Sequence, residues 1–193
     1  MVQVAFHVNS VFSSISYVVT ENRNKDCWLI DVGDYLGIRL LLKEYVLKGV
    51  LLTHTHFDHI YGLNKLLEDF PAIDIYTNDF GSVALKEPSE NLSLYHGTPF
   101  VLTAGSNVIS IQNGDIIKFH DSAFLVHEMP GHDPSCICYE IEDALFTGDS
   151  YIPGMDVFTK FQNSNRKQAL KSYNMLKSMS ENYVIYPGHS VKG

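Results

Sequence analysis

Thr53-His54-Thr55-His56-Phe57-Asp58-His59 is the stretch that decides how this 193-residue chain is read. It follows the apolar run Val50-Leu51-Leu52 and precedes Ile60, Leu63, Leu66, Leu67 and Phe70, which recur at helical spacing up to Pro71. A buried strand therefore ends in a polar loop that opens a helix. His54, His56, Asp58 and His59 place four ligand-type side chains within six positions. Side chains alternate faces in an extended stretch, so His54 and His56 point the same way. The turn into the helix swings Asp58 and His59 to an adjacent position, and the spacing serves two metals side by side. Neutral imidazole and carboxylate suit zinc, iron or manganese, and a divalent ion offsets the cost of gathering such polar groups at a sheet edge.

Upstream of this stretch, Val2 to Val8, Ser16 to Thr20 and Cys27 to Ile30 read as short strands of a meander. The second and third are joined through the polar turn Glu21-Asn22-Arg23-Asn24-Lys25. Leu36, Leu40, Tyr45 and Leu47 predict a helix over Tyr35 to Leu47, stopped by Gly49. Downstream, Ile73 to Thr77 is another strand. The segment from Asp79 to Gly97 reads as irregular with a helical turn: a lid, an interface or a surface loop. Strands then follow at Val108 to Ile111, Ile116 to Phe119 (after the Asn113-Gly114 turn), Ala123 to Glu128, Cys136 to Ile141 and Ala144 to Thr147. A helix from about Asn165 to Met179 presents Ala169, Leu170, Tyr173, Leu176 and Met179 on one face, and a strand covers Tyr183 to Tyr186. Two strand-rich halves that each carry helices predict an α/β chain, a four-layer αββα sandwich forming a single domain over 1–193.

Two further turns, Pro130-Gly131-His132 and Pro187-Gly188-His189, each follow an apolar strand and end in histidine. Between them, Thr147-Gly148-Asp149-Ser150 sets a carboxylate just past another apolar strand. All are strand-end positions, which converge on one edge of a sandwich. With Asp31-Val32-Gly33, the THTHFDH block, PGH, GD and PGH in this order, the chain resembles the metallo-beta-lactamase-fold hydrolase superfamily, within it the glyoxalase II-like (hydroxyacylglutathione hydrolase-like) branch. The resemblance implies that His54, His56 and His132 hold a first metal, that Asp58, His59 and His189 hold a second, and that Asp149 bridges them. It implies Asp31 as a residue that orients a ligand. It also implies two divalent ions, zinc first, with iron and manganese compatible, and hydrolysis of a small ester or thioester by attack of a metal-bridging hydroxide. A serine or cysteine nucleophile is not required, in keeping with the absence of a glycine-flanked nucleophile motif.

The match departs from the family where substrate would bind. Glyoxalase II enzymes continue into a helical region that supplies glutathione contacts, whereas four residues follow His189 here, so the resemblance does not extend to glutathione specificity. In His132-Asp133-Pro134-Ser135-Cys136 the family usually has threonine after the histidine and glycine-serine after the proline. Asp133 either adds charge beside the first metal or caps the turn, the cap being favoured. Cys136 and Cys138 share one strand face and are expected in the core. Asp58 is a catalytic candidate as well as a ligand. Tyr151, two residues past Asp149, is a candidate donor to a developing oxyanion, and Lys160 and Arg166 are candidates to hold substrate groups. His7, His96, His120 and His127 match no block and are expected to be satisfied or exposed.

Composition narrows the partners. The chain is 45% apolar and 19% charged, which excludes disordered and collagen-like classes. A net charge of −8 without a basic stripe disfavours nucleic acid and anionic membranes and favours a small-molecule substrate. The N-terminus lacks the pattern of a signal peptide, no run is long enough to span a bilayer, and the three cysteines Cys27, Cys136 and Cys138 fit a reducing compartment, so the cytoplasm is expected. Two alternatives share the fold: a mononuclear iron oxygenase acting on persulfides, which needs only the first metal, and a phosphodiesterase or ribonuclease, which the acidic charge disfavours.

Overall fold

The computed structural model describes residues 1–21, 25–97 and 99–190, so most of the turn expected over 21–25 lies outside the described residues. Two sheets face one another. The first runs β1 (Val2–Val8), β2 (Ile15–Glu21), β3 (Asp26–Ile30), β4 (Val46–Leu51), β5 (Asp74–Thr77) and β6 (Asn107–Ser110), antiparallel up to β3 and parallel beyond it. The second contains β7 (Ile116–Phe119), β8 (Ser122–Glu128), β9 (Ile137–Ile141), β10 (Ala144–Gly148) and β11 (Val184–Pro187), with only the pairing of β10 to β11 parallel. Parallel neighbours need crossovers. These are supplied by α1 (Tyr35–Leu42), α2 (Phe57–Ile60), α3 (Leu63–Asp69), α4 (Asp79–Ala84) and α5 (Arg166–Met179).

Alternation along β2 and β3 sets the layers. Tyr17, Val19, Trp28 and Ile30 enter the apolar layer between the sheets, opposite Phe124, Val126, Tyr139 and Phe146. Val18, Cys27 and Leu29 face the other way, onto Ile38, Leu42, Leu63 and Leu66 of α1 and α3. On the outer face of the second sheet, Cys138 and Leu145 pack under Leu176 of α5. The order of layers is therefore helix, sheet, sheet, helix, as the strand and helix pattern predicts. Asn165 caps α5, its side chain accepting from the backbone N–H groups of Lys167 and Gln168 at 3.1 Å each.

Several boundaries differ from the sequence expectation. The first helix ends at Leu42, and Leu47 and Gly49 belong to β4. Gly49 is a crossing point: a Cβ there would stand 2.3 Å from the Trp28 ring. Leu36 and Leu40, which mark the helical spacing in the sequence, are exposed, because Tyr35, Ile38 and Leu42 form the buried stripe. The helix expected after Asp58 is two short helices, α2 and α3. Gly62 separates them where the Gly33 carbonyl would lie 2.0 Å from any Cβ. Asn113-Gly114 does not close a hairpin, since β6 and β7 belong to different sheets. The segment 79–97 opens with α4, capped by Asn78, and Leu170 of α5 faces solvent while Ser172 is buried.

Candidate metal centre

Strand ends deliver the polar side chains. Beyond β4 the chain stays extended to His56 (φ −64°, ψ 147°) before turning into α2, which carries Asp58 and His59. The turn between β8 and β9 brings His132, the end of β10 brings Asp149, and the end of β11 brings His189. Their ligand atoms form three groups, each within 4.8 Å: His54, His56 and His132; His54, His59 and Asp149; Asp58, His59 and His189. Asp149 Oδ2 lies 3.5 Å from His132 Nε2 and 3.2 Å from His189 Nε2, between the first and third groups. Asp58 Oδ2 is 3.3 Å from His189 Nε2 and 3.5 Å from His59 Nε2.

The ring nitrogens turned away from the cluster have partners of their own. Asp31 accepts from His59 Nδ1 at 2.8 Å and also takes the Thr53 backbone N–H and hydroxyl, at 2.7 and 2.6 Å. His132 Nδ1 donates to the Phe158 carbonyl at 2.8 Å and His189 Nδ1 to the Phe12 carbonyl at 3.0 Å. A hydrogen bond on one ring nitrogen fixes which nitrogen keeps a lone pair, so these contacts aim each Nε2 lone pair inward. His54 Nδ1 faces the Thr53 hydroxyl at 3.2 Å. For His56 the roles of the nitrogens are reversed: Nδ1 faces His132 Nε2 at 3.0 Å, and Nε2 stands 3.3 Å from Asp133 Oδ2.

Asp133 is 1% exposed and does two things at once. Its Oδ1 accepts from the Ser135 backbone N–H at 2.8 Å and from the Ser135 hydroxyl, which caps the turn, while Oδ2 stands 3.3 Å from His56 Nε2 and, like that nitrogen, has no well-formed hydrogen bond among the described residues. The Ser135 hydroxyl also receives the Thr55 backbone N–H at 3.0 Å. The HTHFDH loop and the first PGH turn are thereby tied together.

The chemistry of the cluster fits cations. His54 Nε2 and Asp149 Oδ1 are buried without a hydrogen-bond partner among the described residues, an expensive condition for polar atoms in a folded interior. His59 Nε2 and His189 Nε2 face each other at 3.3 Å, where a single proton at most fits between two lone pairs. Burial raises the carboxyl of Asp149, but the His189 hydrogen bond and the neighbouring His59, His54 and His132 outweigh it and hold the group well below the usual carboxylate range. Burial pushes His54 and His132 down. For His59, burial is outweighed by Asp58, Asp31 and Asp149, which push it up to about 10, and His189 is raised by Asp149 in the same way. Uncharged imidazoles at His54 and His132 and an anionic Asp149 are the forms that bind divalent ions.

A model of the metallo-beta-lactamase superfamily matches residues 10–189. The chain belongs to the metallo-beta-lactamase superfamily. Among curated relatives, the hydroxyacylglutathione hydrolase of Vibrio cholerae serotype O1 is 30% identical over 172 residues, covering 88% of this chain and 59% of that protein. The hydroxyacylglutathione hydrolase of Pseudoalteromonas translucida is 28% identical, covering 98% of this chain and 65% of that protein. The chain thus spans about three-fifths of the length of these relatives. Among solved structures, the BLEG-1 B3 metallo-beta-lactamase superposes with a TM-score of 0.88 at 24% identity, covering 98% of this chain and 92% of that one. ETHE1 from Myxococcus xanthus gives 0.76 at 25% identity, covering 99% and 77%. Members of this superfamily bind divalent metals, and the histidine and aspartate groups found here provide for them.

All seven side chains named from the sequence as ligands meet in the cluster; the other candidates fall elsewhere. Tyr151 does not reach it. Its ring packs with Met129, Cys138, Leu145 and Leu176, and its hydroxyl lies 3.4 Å from Ser180 Oγ, so the role of oxyanion donor is withdrawn. Lys160 and Arg166 line a separate cavity with Asp156 and Val157, residues that also border the space beside His132, Asp149 and His189. Cys136 and Cys138 are buried, as expected, and burial raises both thiols. His7 pairs with Asp34, His120 with Asp26 and His127 with Glu140. His96 instead stacks on Phe57, ring centroids 4.8 Å apart, beside the cluster. The carbonyls of Phe12 and Phe158 leave no trace in a sequence, because any residue supplies a carbonyl. No helix among the described residues is long and apolar enough to cross a membrane.

Proposed function

We propose that this chain is a metal-dependent hydrolase that holds two divalent ions and cleaves a small ester or thioester. The observation that carries the reading is the position of Asp149, whose Oδ2 is within 3.5 Å of a histidine of each of the two outer ligand groups. His54, His56 and His132 would hold the first ion, Asp58, His59 and His189 the second, and Asp149 would serve both. Zinc is the first choice, with iron and manganese compatible with the same donors. When bound, a pair of such ions supplies a water acidic enough to ionise near neutral pH and a Lewis acid for the carbonyl oxygen.

The remaining chemistry belongs to the chain. Asp31, Asp133 and the carbonyls of Phe158 and Phe12 set the histidine lone pairs before substrate arrives, which removes reorganisation from the reaction. His54, His56 and His59 are buried, while His189 is part exposed, which leaves the His189 side as the approach for substrate. Asp58 faces both the third group and the open cavity and is the carboxylate placed to hold a proton on the side of attack. Water adds at the carbonyl carbon, the bond to sulfur or oxygen breaks, and a carboxylic acid and a thiol or alcohol leave. A mononuclear iron enzyme would use the first group alone; the complete third group supports two ions. Asp149→Ala tests this reading: it should lose metal and hydrolysis together, whereas a variant that keeps two ions and full turnover removes the bridging role.

A further inference from the structure

Six apolar side chains wall a cavity of about 480 Å³ whose floor is the histidine and aspartate cluster: Phe12, Phe57, Leu92, Tyr95, Phe158 and Phe161. They come from four segments far apart in sequence: the β1–β2 turn, the start of α2, the loop after α4, and the connection from β10 to α5. A chance hydrophobic run would be local; this wall is assembled by the fold. It is also seated on the cluster. The Phe161 ring meets the His56 and His132 rings edge-on, at centroid distances of 4.9 and 5.8 Å, and Phe12 meets His96 in the same manner at 5.3 Å. Phe12 and Leu92 have φ of 52° and 62°, a left-handed backbone that side chains of this size rarely adopt.

The wall leaves large apolar side chains facing water, with Phe12 65%, Tyr95 75% and Phe158 49% exposed around a polar centre. Apolar surface gathered in a concave site of this size is the usual lining for the apolar part of a small ligand. Charge points the same way. Neither lysine nor arginine is among the described residues lining this cavity, and its only formal anions are the two aspartates of the cluster. Lys160 and Arg166 lie in another cavity. An anionic group placed beside the bond to be cleaved would find no lysine or arginine among the described lining residues, whereas a neutral ring would be covered on several sides.

Resting on the hydrolase reading, we infer that the substrate carries a neutral aryl or bulky alkyl group beside its scissile carbonyl, bound against this wall. The test uses the full chain loaded with zinc and two matched series. One compares phenylacetyl with lactoyl thioesters of N-acetylcysteamine, and the other compares phenyl acetate with methyl acetate. The expected result is at least a tenfold preference in kcat/KM for the aryl member of one series after correction for its intrinsic reactivity. The preference should be carried mainly by KM and should fall below threefold in both Phe161→Ser and Phe12→Ser. A direct binding measurement accompanies it: phenylacetate should bind at least tenfold tighter than acetate by calorimetry, an advantage that the same variants lose. Hydrolysis without aryl preference, or with lactoyl preferred, overturns the apolar subsite and leaves the hydrolase standing. Failure to hydrolyse any member alongside tight phenylacetate binding supports the subsite and overturns hydrolysis, and equal binding of the two acids overturns the subsite.

Discussion

Replacing Asp133 by asparagine changes one atom on each side of a tautomer decision. Oδ1 is held by the Ser135 backbone N–H at 2.8 Å, so the asparagine carbonyl must stay there, and its NH₂ group takes the position 3.3 Å from His56 Nε2. The opposite flip would set two donors against each other at Ser135. An NH₂ facing Nε2 stabilises the imidazole with its proton on Nδ1, the nitrogen that faces the cluster. For His56 to bind an ion through Nδ1, it must then keep Nε2–H against a buried donor. An unsatisfied donor in a buried site costs about 1–3 kcal/mol. Loss of an outer-shell partner of this kind corresponds to roughly ten- to hundredfold weaker metal binding. Asp133→Asn should therefore weaken one of the two zinc-binding steps by that factor in competition with a chromophoric chelator. The melting temperature of the metal-free protein should stay near that of the parent, because the turn keeps its cap. Binding of both ions within threefold of the parent would refute the tautomer argument and leave Asp133 as a cap alone.

Acid should empty the two outer groups unequally. His59, held at about 10, carries a proton at neutral pH in the metal-free protein, while the lowered His54 and His132 do not. Metal binding at the group of Asp58, His59 and His189 then releases the His59 proton and tightens as pH rises, and zinc titrations in buffers of different ionisation enthalpy should show a greater release for that step than for the other; equal release at both steps contradicts the assignment. Gly188→Ala would put a Cβ 2.1 Å from Asp149 Oδ1, so the purified variant should contain less than half the metal of the parent, and full metal content would count against a fixed Asp149. Gly131→Ala faces a Cβ contact of 2.0 Å with the Ala169 backbone at a φ of 137°, and should cost roughly 2–4 kcal/mol in urea unfolding of the metal-free protein. An unchanged urea midpoint would contradict the packing of α5 on the first PGH turn.

Much of this molecule is legible in its sequence where side-chain chemistry and backbone periodicity coincide. HTHFDH and the two PGH turns sit at strand ends, and strand ends are what a sandwich brings to one rim, so the meeting of these histidines and aspartates follows from local pattern. Legibility fails where a contact from elsewhere in the chain decides. Gly49 reads as a helix stop, yet it is a strand residue made small by Trp28 crossing over it. Leu36 and Leu40 keep helical spacing with the core residues, yet the stripe anchored by Ile38 is the one that packs on the sheet. Tyr151 is near Asp149 in sequence, and the turn after β10 sends its ring under α5 instead. The apolar wall is the least legible part: by position in the sequence the Phe and Tyr residues read mostly as core, yet Phe12, Tyr95 and Phe158 are exposed and come together only in the fold.

The most direct test is the metal content of the purified protein by plasma mass spectrometry, measured together with turnover of thioesters, esters, lactones and phosphodiesters. Near two equivalents of a divalent metal with ester or thioester turnover is the expected result. One equivalent of iron without hydrolysis of any of them contradicts a dinuclear hydrolase.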